Sequence, residues 1–309
     1  MNMQATNIPQ ELFTPAGDNT AKQEHIARQH HSAFYDGWVR LRKNRAAVVC
    51  AVIILIIAVM SVVVPMTSKY TYFDTDYANK IAKPSAEHPF GTDLFGRDQW
   101  VRVWYGTGIS LLIGLAAALI NLVIGVFYGA ISAIMGGKVD AIMQRIIEVL
   151  VGIPSLIIVI LFMMVLPPGI WTIIAAMSIT GWVNMARLVR AKILNLKSQE
   201  FVLAAQLLGT STWKIILRHL IPNTISVIVI QVMFAIPSAI FTEAFLSFIG
   251  VGLTEPKASL GVLINNGYKA LRAAPFLLIY PAIAIILIMI CFSIVGDGLR
   301  DAFDPRMKH

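Results

Sequence analysis

Few residues in this 309-residue chain have the types and spacing that enzyme chemistry requires. A loop that binds the phosphates of ATP follows the pattern GxxxxGK[ST], in which the glycines let backbone amides approach the phosphates. The nearest candidate ends in Gly136-Gly137-Lys138, but Ser132 stands where the first glycine belongs and Val139 where Ser or Thr belongs. We therefore predict no catalytic residues and no cofactor in this chain.

Metal ligation has no better support. The six histidines form no pair at helical ligand spacing, and neither HExxH nor CxxC occurs. His30 and His31 are adjacent, so on a helix they would point in different directions. Cys50 and Cys291 both lie inside apolar runs, which argues against a disulfide framework. The sequence predicts no metal site.

Three residues inside one long apolar run, at 224–249, are candidates for a transport pathway or a gate: Gln231, Pro237 and Glu243. An ionisable side chain is costly in lipid, so Glu243 should face protein or water. It either contacts a substrate or an external protein, or it forms a polar clasp to a neighbouring helix, which we favour. Gln231 is first a candidate for an interhelical hydrogen bond and then for cavity lining. Pro237 predicts a kink that serves as a gate hinge or only shapes the helix.

The elements that position these residues are membrane spans. The chain is 57% hydrophobic and only 14% charged, a balance that soluble domains rarely reach. Its net charge of +8 is not gathered into a patch but flanks the apolar runs, so we predict no nucleic-acid binding. Because only helices and closed barrels satisfy the backbone in lipid, and strands are not this long, we predict an all-α membrane protein. Six transmembrane helices are predicted, at about 46–66, 108–137, 146–166, 170–186, 224–249 and 275–295.

The basic residues also predict the topology. With the first span starting on the inside, 17 of the 25 Lys and Arg residues fall in inside segments and 8 in outside ones. We therefore expect a multi-pass protein of the plasma or inner membrane with both termini in the cytoplasm. The predicted parts are a cytoplasmic tail, residues 1–45, and a six-helix transmembrane domain, residues 46–309. The domain includes two external loops, 67–104 and 251–274, and one large cytoplasmic loop, 187–222.

The large cytoplasmic loop contains a short helix that is apolar on nearly all sides. Ser198 is a suitable N-cap, and Glu200 lies in the first turn, where the helix dipole favours an anion. The apolar residues are Phe201, Ala204, Ala205 and Leu208 on one predicted face, with Val202, Leu203 and Leu207 around them. A helix that is apolar on all sides must be covered on all sides.

The ends of this segment are also specified. Gly209 permits a left-handed turn that a residue with a Cβ would resist, and Pro222 restarts the chain where the fifth span begins. The small Ala204 and Ala205 allow a close approach by another backbone. Two interpretations stay open from the residues alone: a re-entrant or interfacial loop packed on its own protein, and a helix that docks into a partner.

This loop resembles the cytoplasmic signature of ABC importer permeases, roughly E-A-A, three residues, G, nine residues, I-x-L-P. Ala204, Ala205, Gly209 and Pro222 match at the right spacing, whereas Leu203 replaces the glutamate and "HLIP" replaces the last element. Glu200, one turn earlier, is a candidate for the acidic role. From about residue 38 onward, "FGTDLFGRDQWVRVWYGTGISLLIG" and "FTEAFLSFIGVGL" resemble the peptide and nickel subgroup, in its oligopeptide or dipeptide C type.

The resemblance implies a type I ABC importer permease architecture in which the loop forms a coupling helix. The implied coupling residues are Glu200, Phe201, Ala204, Ala205, Leu208, Gly209 and Pro222. The implied partners are a second homologous permease subunit, two ABC ATPase subunits that hold ATP and Mg, an external peptide-binding protein, a peptide substrate and membrane lipid. ATP hydrolysis would belong to the ATPases.

An external charged segment, "GTDLFGRD" at 91–98, is a candidate docking surface for the binding protein. Its candidate residues are Asp93, Arg97 and Asp98, which can also serve only as helix caps and a local ion pair. Three alternative functions remain: a nickel-chelate or glutathione importer permease, an ATP-independent secondary transporter, and a membrane scaffold without transport activity.

Overall fold

A computed structural model describes residues 33–303, which are almost entirely helical and contain no β-strand. We number the α-helices in chain order. They are α1 Ala33–Lys43, α2 Arg45–Thr67, α3 Gln99–Met135, α4 Gly137–Gly152, α5 Ser155–Val165, α6 Ile170–Ser178, α7 Val183–Lys197, α8 Glu200–Leu207, α9 Thr212–Ile215, α10 Ile221–Phe248, α11 Leu260–Lys269 and α12 Phe276–Phe303. A 3-10 turn covers Tyr77–Asn79, and a π-helical turn, Ile216–Leu220, joins α9 to α10.

Four helices in the described range are long and apolar enough to cross a membrane: α2, α3, α12 and the continuous segment Thr212–Phe248. Two bent pairs bring the number to six if each is one span. They are α4 with α5, bent by 80°, and α6 with α7, bent by 41°. The prediction of an all-α membrane protein is confirmed.

The spans differ from the predicted ones at their boundaries. The second is longer, because α3 already begins at Gln99, where the Asp98 carboxylate accepts a hydrogen bond from the Val101 amide as an N-cap. The third is not one straight helix from 146 to 166. It is divided at Ile153-Pro154, because proline has no N–H to continue the hydrogen-bond ladder. The fourth continues to Lys197, beyond the predicted end at 186.

The predicted tail, 1–45, falls largely outside the described residues, as does the end of the chain after 303. From Ala33 the tail is helical and contacts the last helix: a Cβ on Gly37 would lie 2.6 Å from the Phe303 ring.

Helix α3 lies at the centre of the bundle and packs against α2, α7 and α10. Small residues make these contacts possible. A Cβ on Gly129 would lie 2.4 Å from the Ala186 carbonyl oxygen, and one on Gly114 would lie 2.5 Å from Ile240 Cγ1. The expected close packing through glycine and alanine is therefore present. The peripheral helices α2 and α12 are little buried. In the most apolar 18-residue stretch of each, only 22% is buried inside the structure, so most of their apolar surface is left for lipid or another chain.

Several helix ends meet near α8. Lys197, at the end of α7, donates a hydrogen bond from Nζ to the Ile134 carbonyl oxygen near the end of α3 at 3.0 Å. A Cβ on Gly298 of α12 would lie 2.6 Å from Ala47 Cβ at the start of α2. We call this end of the bundle the α8 end. The opposite end holds the long loop before α3 and the loop that contains α11.

Candidate functional site

The sequence predicts Ser198 as the N-cap of helix α8, but the helix begins one residue later. Gln199 is the N-cap, its side chain makes no capping hydrogen bond, and Ser198 instead ends α7. Glu200 does lie in the first turn of α8, as expected. The cap is displaced because α7 extends almost to α8, which leaves only Ser198 and Gln199 to reverse the chain.

The packing face of α8 differs from the predicted one. Val202 is completely buried and Ala205 is 8% exposed, and both join the hydrophobic core with Ile215 and Ile216. Phe201, Ala204 and Leu208 of the predicted face are exposed instead. The sequence could not distinguish the faces, since apolar residues surround the helix.

The exposed side of α8 is strongly apolar. We call it the apolar crest; its members are Phe201, Leu203, Leu207 and Leu208, which are 42%, 46%, 89% and 85% exposed. It faces away from the chain's own core, so residues 33–303 cover only one side of the helix. An apolar surface of this kind at the end of a helical bundle is typical of a site that another molecule covers.

The turn after α8 takes the predicted form. Gly209 has a φ of +72°, and the Thr210 amide donates to the Ala205 carbonyl oxygen at 3.0 Å. Nothing lies within 4 Å of a Cβ built on Gly209, so only its backbone conformation favours glycine there. Pro222 lies in the first turn of α10, where its missing N–H costs no helical hydrogen bond.

A cavity of about 630 Å³ opens between α3, α4, α5, α7 and α10. Its lining combines apolar side chains with amides and hydroxyls and includes no charged residue from the described chain. The polar lining residues are Asn121, Ser155, Thr180, Asn184, Gln231, Ser238 and Thr242. Gln231 lines this cavity, whereas Pro237 is buried inside α10 beside the lining residue Ser238.

Glu243 does not line this cavity and is completely buried. Its carboxylate accepts hydrogen bonds from Ser110 Oγ of α3 at 2.7 Å and from Ser247 Oγ of α10 at 2.8 Å. Ser110 Oγ also accepts from the Leu260 amide at 3.2 Å, which connects the start of α11 to the same group. These contacts support the polar clasp over a contact with substrate.

The three candidate docking residues at the opposite end are buried: Asp93 and Arg97 are each 4% exposed, and Asp98 is 3% exposed. In this structure they therefore shape the loop and do not offer their side chains to another protein. Asp98 caps α3 and lies 2.7 Å from His88 Nδ1. Arg97 pairs with Asp93 at 2.6 Å, so the expected caps and local ion pair are present.

Sequence reasoning missed the partner of Arg97 in the loop that contains α11. Arg97 Nη2 donates to Glu255 Oε1 at 2.7 Å, and Arg102, completely buried, lies 3.5 Å from the same oxygen. Burial alone would raise the pKa of Glu255, but the hydrogen bond from Arg97 and the two guanidinium charges outweigh it and hold the pKa below its ordinary value. This loop network joins the loop before α3 to the loop that contains α11, and the exposed Leu94 and Phe95 lie beside it.

Comparison with known proteins places this architecture in a family. Residues 121–309 match the model of the binding-protein-dependent transport system inner membrane component, and residues 32–84 match the N-terminal TM domain of oligopeptide transport permease C. The chain is 47% identical over 302 residues to the oligopeptide transport system permease protein OppC of Bacillus subtilis, covering 98% of this chain and 99% of that one. It is 42% identical over 306 residues to the dipeptide transport system permease protein DppC of the same organism, covering 99% and 96%.

A solved structure shares the fold. A chain described in work on inward facing conformations of the MetNI methionine ABC transporter superposes with a TM-score of 0.55 at 16% identity, covering 65% of this chain and 96% of that one. The predicted ABC importer permease architecture is therefore confirmed at the level of the fold. The chain belongs to the family of binding-protein-dependent transport system inner membrane components, in its oligopeptide transport permease C branch.

Proposed function

We propose that this chain is the permease subunit of an ATP-driven importer for oligopeptides or dipeptides. It forms one half of the translocation pathway and transmits the motion of ATPase subunits to the membrane helices. The apolar crest of α8 carries this proposal, because it is a helix face on the membrane domain that the described chain leaves open. The relatives named as oligopeptide and dipeptide permeases support the substrate class.

The proposed assembly contains a second, homologous permease subunit, two ABC ATPase subunits and an external peptide-binding protein, within membrane lipid. The α8 end faces the cytoplasm together with both termini, which agrees with the bias of basic residues toward that side. ATP and Mg bind to the ATPases. The coupling residues remain Glu200, Phe201, Ala204, Ala205, Leu208, Gly209 and Pro222; all of these except the buried Ala205 have the exposure needed for direct contact.

The cavity between α3, α7 and α10 is the proposed contribution of this chain to the pathway. Amide and hydroxyl groups can hydrogen-bond to a peptide backbone, and the absence of charge in the lining does not favour one kind of peptide side chain. Gln231 is the proposed pathway residue, and Pro237 shapes the helix that carries it. Glu243 has the role of a clasp, so its position offers no support for ion-coupled transport.

An uptake experiment tests the proposal. The chain is expressed with its partner subunits in cells that lack peptide uptake, and labelled di-, tri- and hexapeptides are compared with nickel and glutathione. We expect saturable peptide uptake that stops when the ATPases carry an inactivating substitution. Uptake of nickel or glutathione without peptide would assign the chain to the alternative importers, and uptake that continues without active ATPases would make it a secondary transporter.

A further inference from the structure

A bidentate ion pair connects α4 to α7 at the α8 end. Arg190 Nε donates to Asp140 Oδ1 at 2.7 Å, and Arg190 Nη2 donates to Asp140 Oδ2 at 2.5 Å. The two side chains are 27% and 17% exposed, so the pair is better shielded than an ordinary surface salt bridge. Two parallel hydrogen bonds fix the relative orientation of the groups as well as their separation.

The same carboxylate also contacts α3. Ser132 Oγ donates to Asp140 Oδ1, and Gln144 Nε2 donates to Ser132 Oγ at 3.0 Å. One turn from α8, Lys197 Nζ adds the hydrogen bond to the Ile134 carbonyl oxygen. We call Asp140 and Arg190, with Ser132, the charge clamp. It joins α3, α4 and α7.

The backbone between α3 and α4 does not make this connection rigid by itself. Gly136 and Gly137 both have positive φ values, +60° and +51°, and nothing lies within 4 Å of a Cβ built on Gly137. Two successive glycines, with only Lys197 Nζ within 4 Å of a Cβ built on Gly136, permit α4 to turn relative to α3. The charge clamp adds a bidentate, charged contact to the others that hold α4: Tyr128 Oη donates to the Met143 carbonyl oxygen at 2.8 Å, and Ile147 packs in a cluster with Trp182, Val183 and Ala186.

The clamped helices are those that connect α8 to the cavity. Helix α7 leads into α8 through only Ser198 and Gln199, and the cavity is lined by Asn121 of α3, Leu150 of α4 and Asn184 of α7. We propose that Asp140 and Arg190 are positioning residues for transport. They make α4 and α3 follow α7 when α8 is displaced, so that motion at the ATPase side reaches the cavity wall. This inference rests on the proposed function.

Reconstituted complex provides the test. The chain, its partner permease and the ATPases are placed in liposomes with the binding protein, and ATP hydrolysed and labelled tripeptide taken up are measured in the same sample. Arg190→Gln should assemble and hydrolyse ATP but carry about two- to tenfold fewer peptides per ATP. A role limited to stability would lower the yield of complex and leave this ratio unchanged.

Two further variants sharpen the result. The matched control is Arg187→Gln, which removes the same charge from an exposed position on the same helix and should keep the wild-type ratio. Exchanging the charges with Asp140→Arg and Arg190→Asp together should recover part of the ratio. An unchanged ratio in Arg190→Gln, or an equal fall in Arg187→Gln, would overturn the inference.

Other outcomes remain interpretable. If Arg190→Gln does not accumulate, Ser132→Ala removes a single hydrogen bond of the charge clamp and should lower the ratio less; no change there also overturns the inference. Failure of the wild-type complex to bind ATPases or import peptide would instead refute the proposed function. Failure of the proposed function can therefore be told apart from failure of the charge clamp.

Discussion

Val202 and Leu207 lie on the same eight-residue helix, yet Val202 is completely buried and Leu207 is 89% exposed. The buried side attaches α8 to the core of the bundle, while the exposed side carries the four apolar side chains of the apolar crest. A rigidly attached apolar surface is suited to transmit a push or pull from a partner, because displacement of α8 must move the helices beneath it.

Replacing Leu207 with Asp should separate assembly from folding. A charge at an exposed position leaves the core intact but places a carboxylate in the proposed apolar contact, which costs binding free energy on desolvation. We expect normal amounts of Leu207→Asp in the membrane, with at least tenfold less ATPase recovered by co-purification, equivalent to about 1.4 kcal/mol. Leu271→Asp, which changes an exposed leucine in the loop after α11, at the end of the bundle opposite α8, is the control and should retain the ATPases.

Ala205→Trp should act on stability, because Ala205 packs against the chain's own core. Inserting a large ring into a filled site costs about 1–3 kcal/mol or more. A thermal unfolding scan of the purified chain should therefore show a lower midpoint for Ala205→Trp and an unchanged one for Ala204→Trp, at the exposed neighbour. Equal midpoints for the two variants would mean that α8 packs through a different face.

The Glu243 clasp predicts a difference between two substitutions. Glu243→Ala leaves buried hydroxyls of Ser110 and Ser247 without their acceptor, at a cost of about 1–3 kcal/mol. Glu243→Gln keeps an oxygen acceptor and should be milder. Thermal unfolding should follow that order, and peptide uptake per assembled complex should survive in Glu243→Gln. If Glu243→Gln is stable and assembled but loses peptide uptake, Glu243 is a pathway residue and not only a clasp.

The loop network around Glu255 predicts a pH dependence. Since the pKa of Glu255 is lowered in the folded chain, its contribution to stability is complete above the ordinary glutamate pKa of about 4.3. It is lost as the pH falls through the lower folded value. Melting midpoints of wild type and Glu255→Gln should differ most at pH 7 and converge below pH 4. A difference between the two melting midpoints that grows as the pH falls would contradict a lowered pKa of Glu255.

Long apolar runs were sufficient to predict an all-α membrane protein, in which the described residues hold four spanning helices, or six if each bent pair is one span. The break at Ile153-Pro154 was harder to foresee, because a proline indicates where a helix ends but not that the next helix turns by 80°. The partner of Arg97 was not predictable at all, since Glu255 lies 158 residues away and one sequence contains no signal for that contact. Likewise, a helix apolar all round does not reveal which face its own protein will cover.

Cysteine cross-linking tests the central claim most directly. In a chain whose native Cys50 and Cys291 are replaced, single cysteines are introduced by Leu207→Cys, Leu208→Cys and Val202→Cys and the assembled complex is treated with a short bifunctional thiol reagent. Cysteines at 207 and 208 should cross-link to an ATPase subunit carrying a cysteine in its surface groove, and the buried position 202 should not. Cysteines at 207 and 208 that react only with reagent added outside the cell, or that never reach an ATPase, would contradict the account.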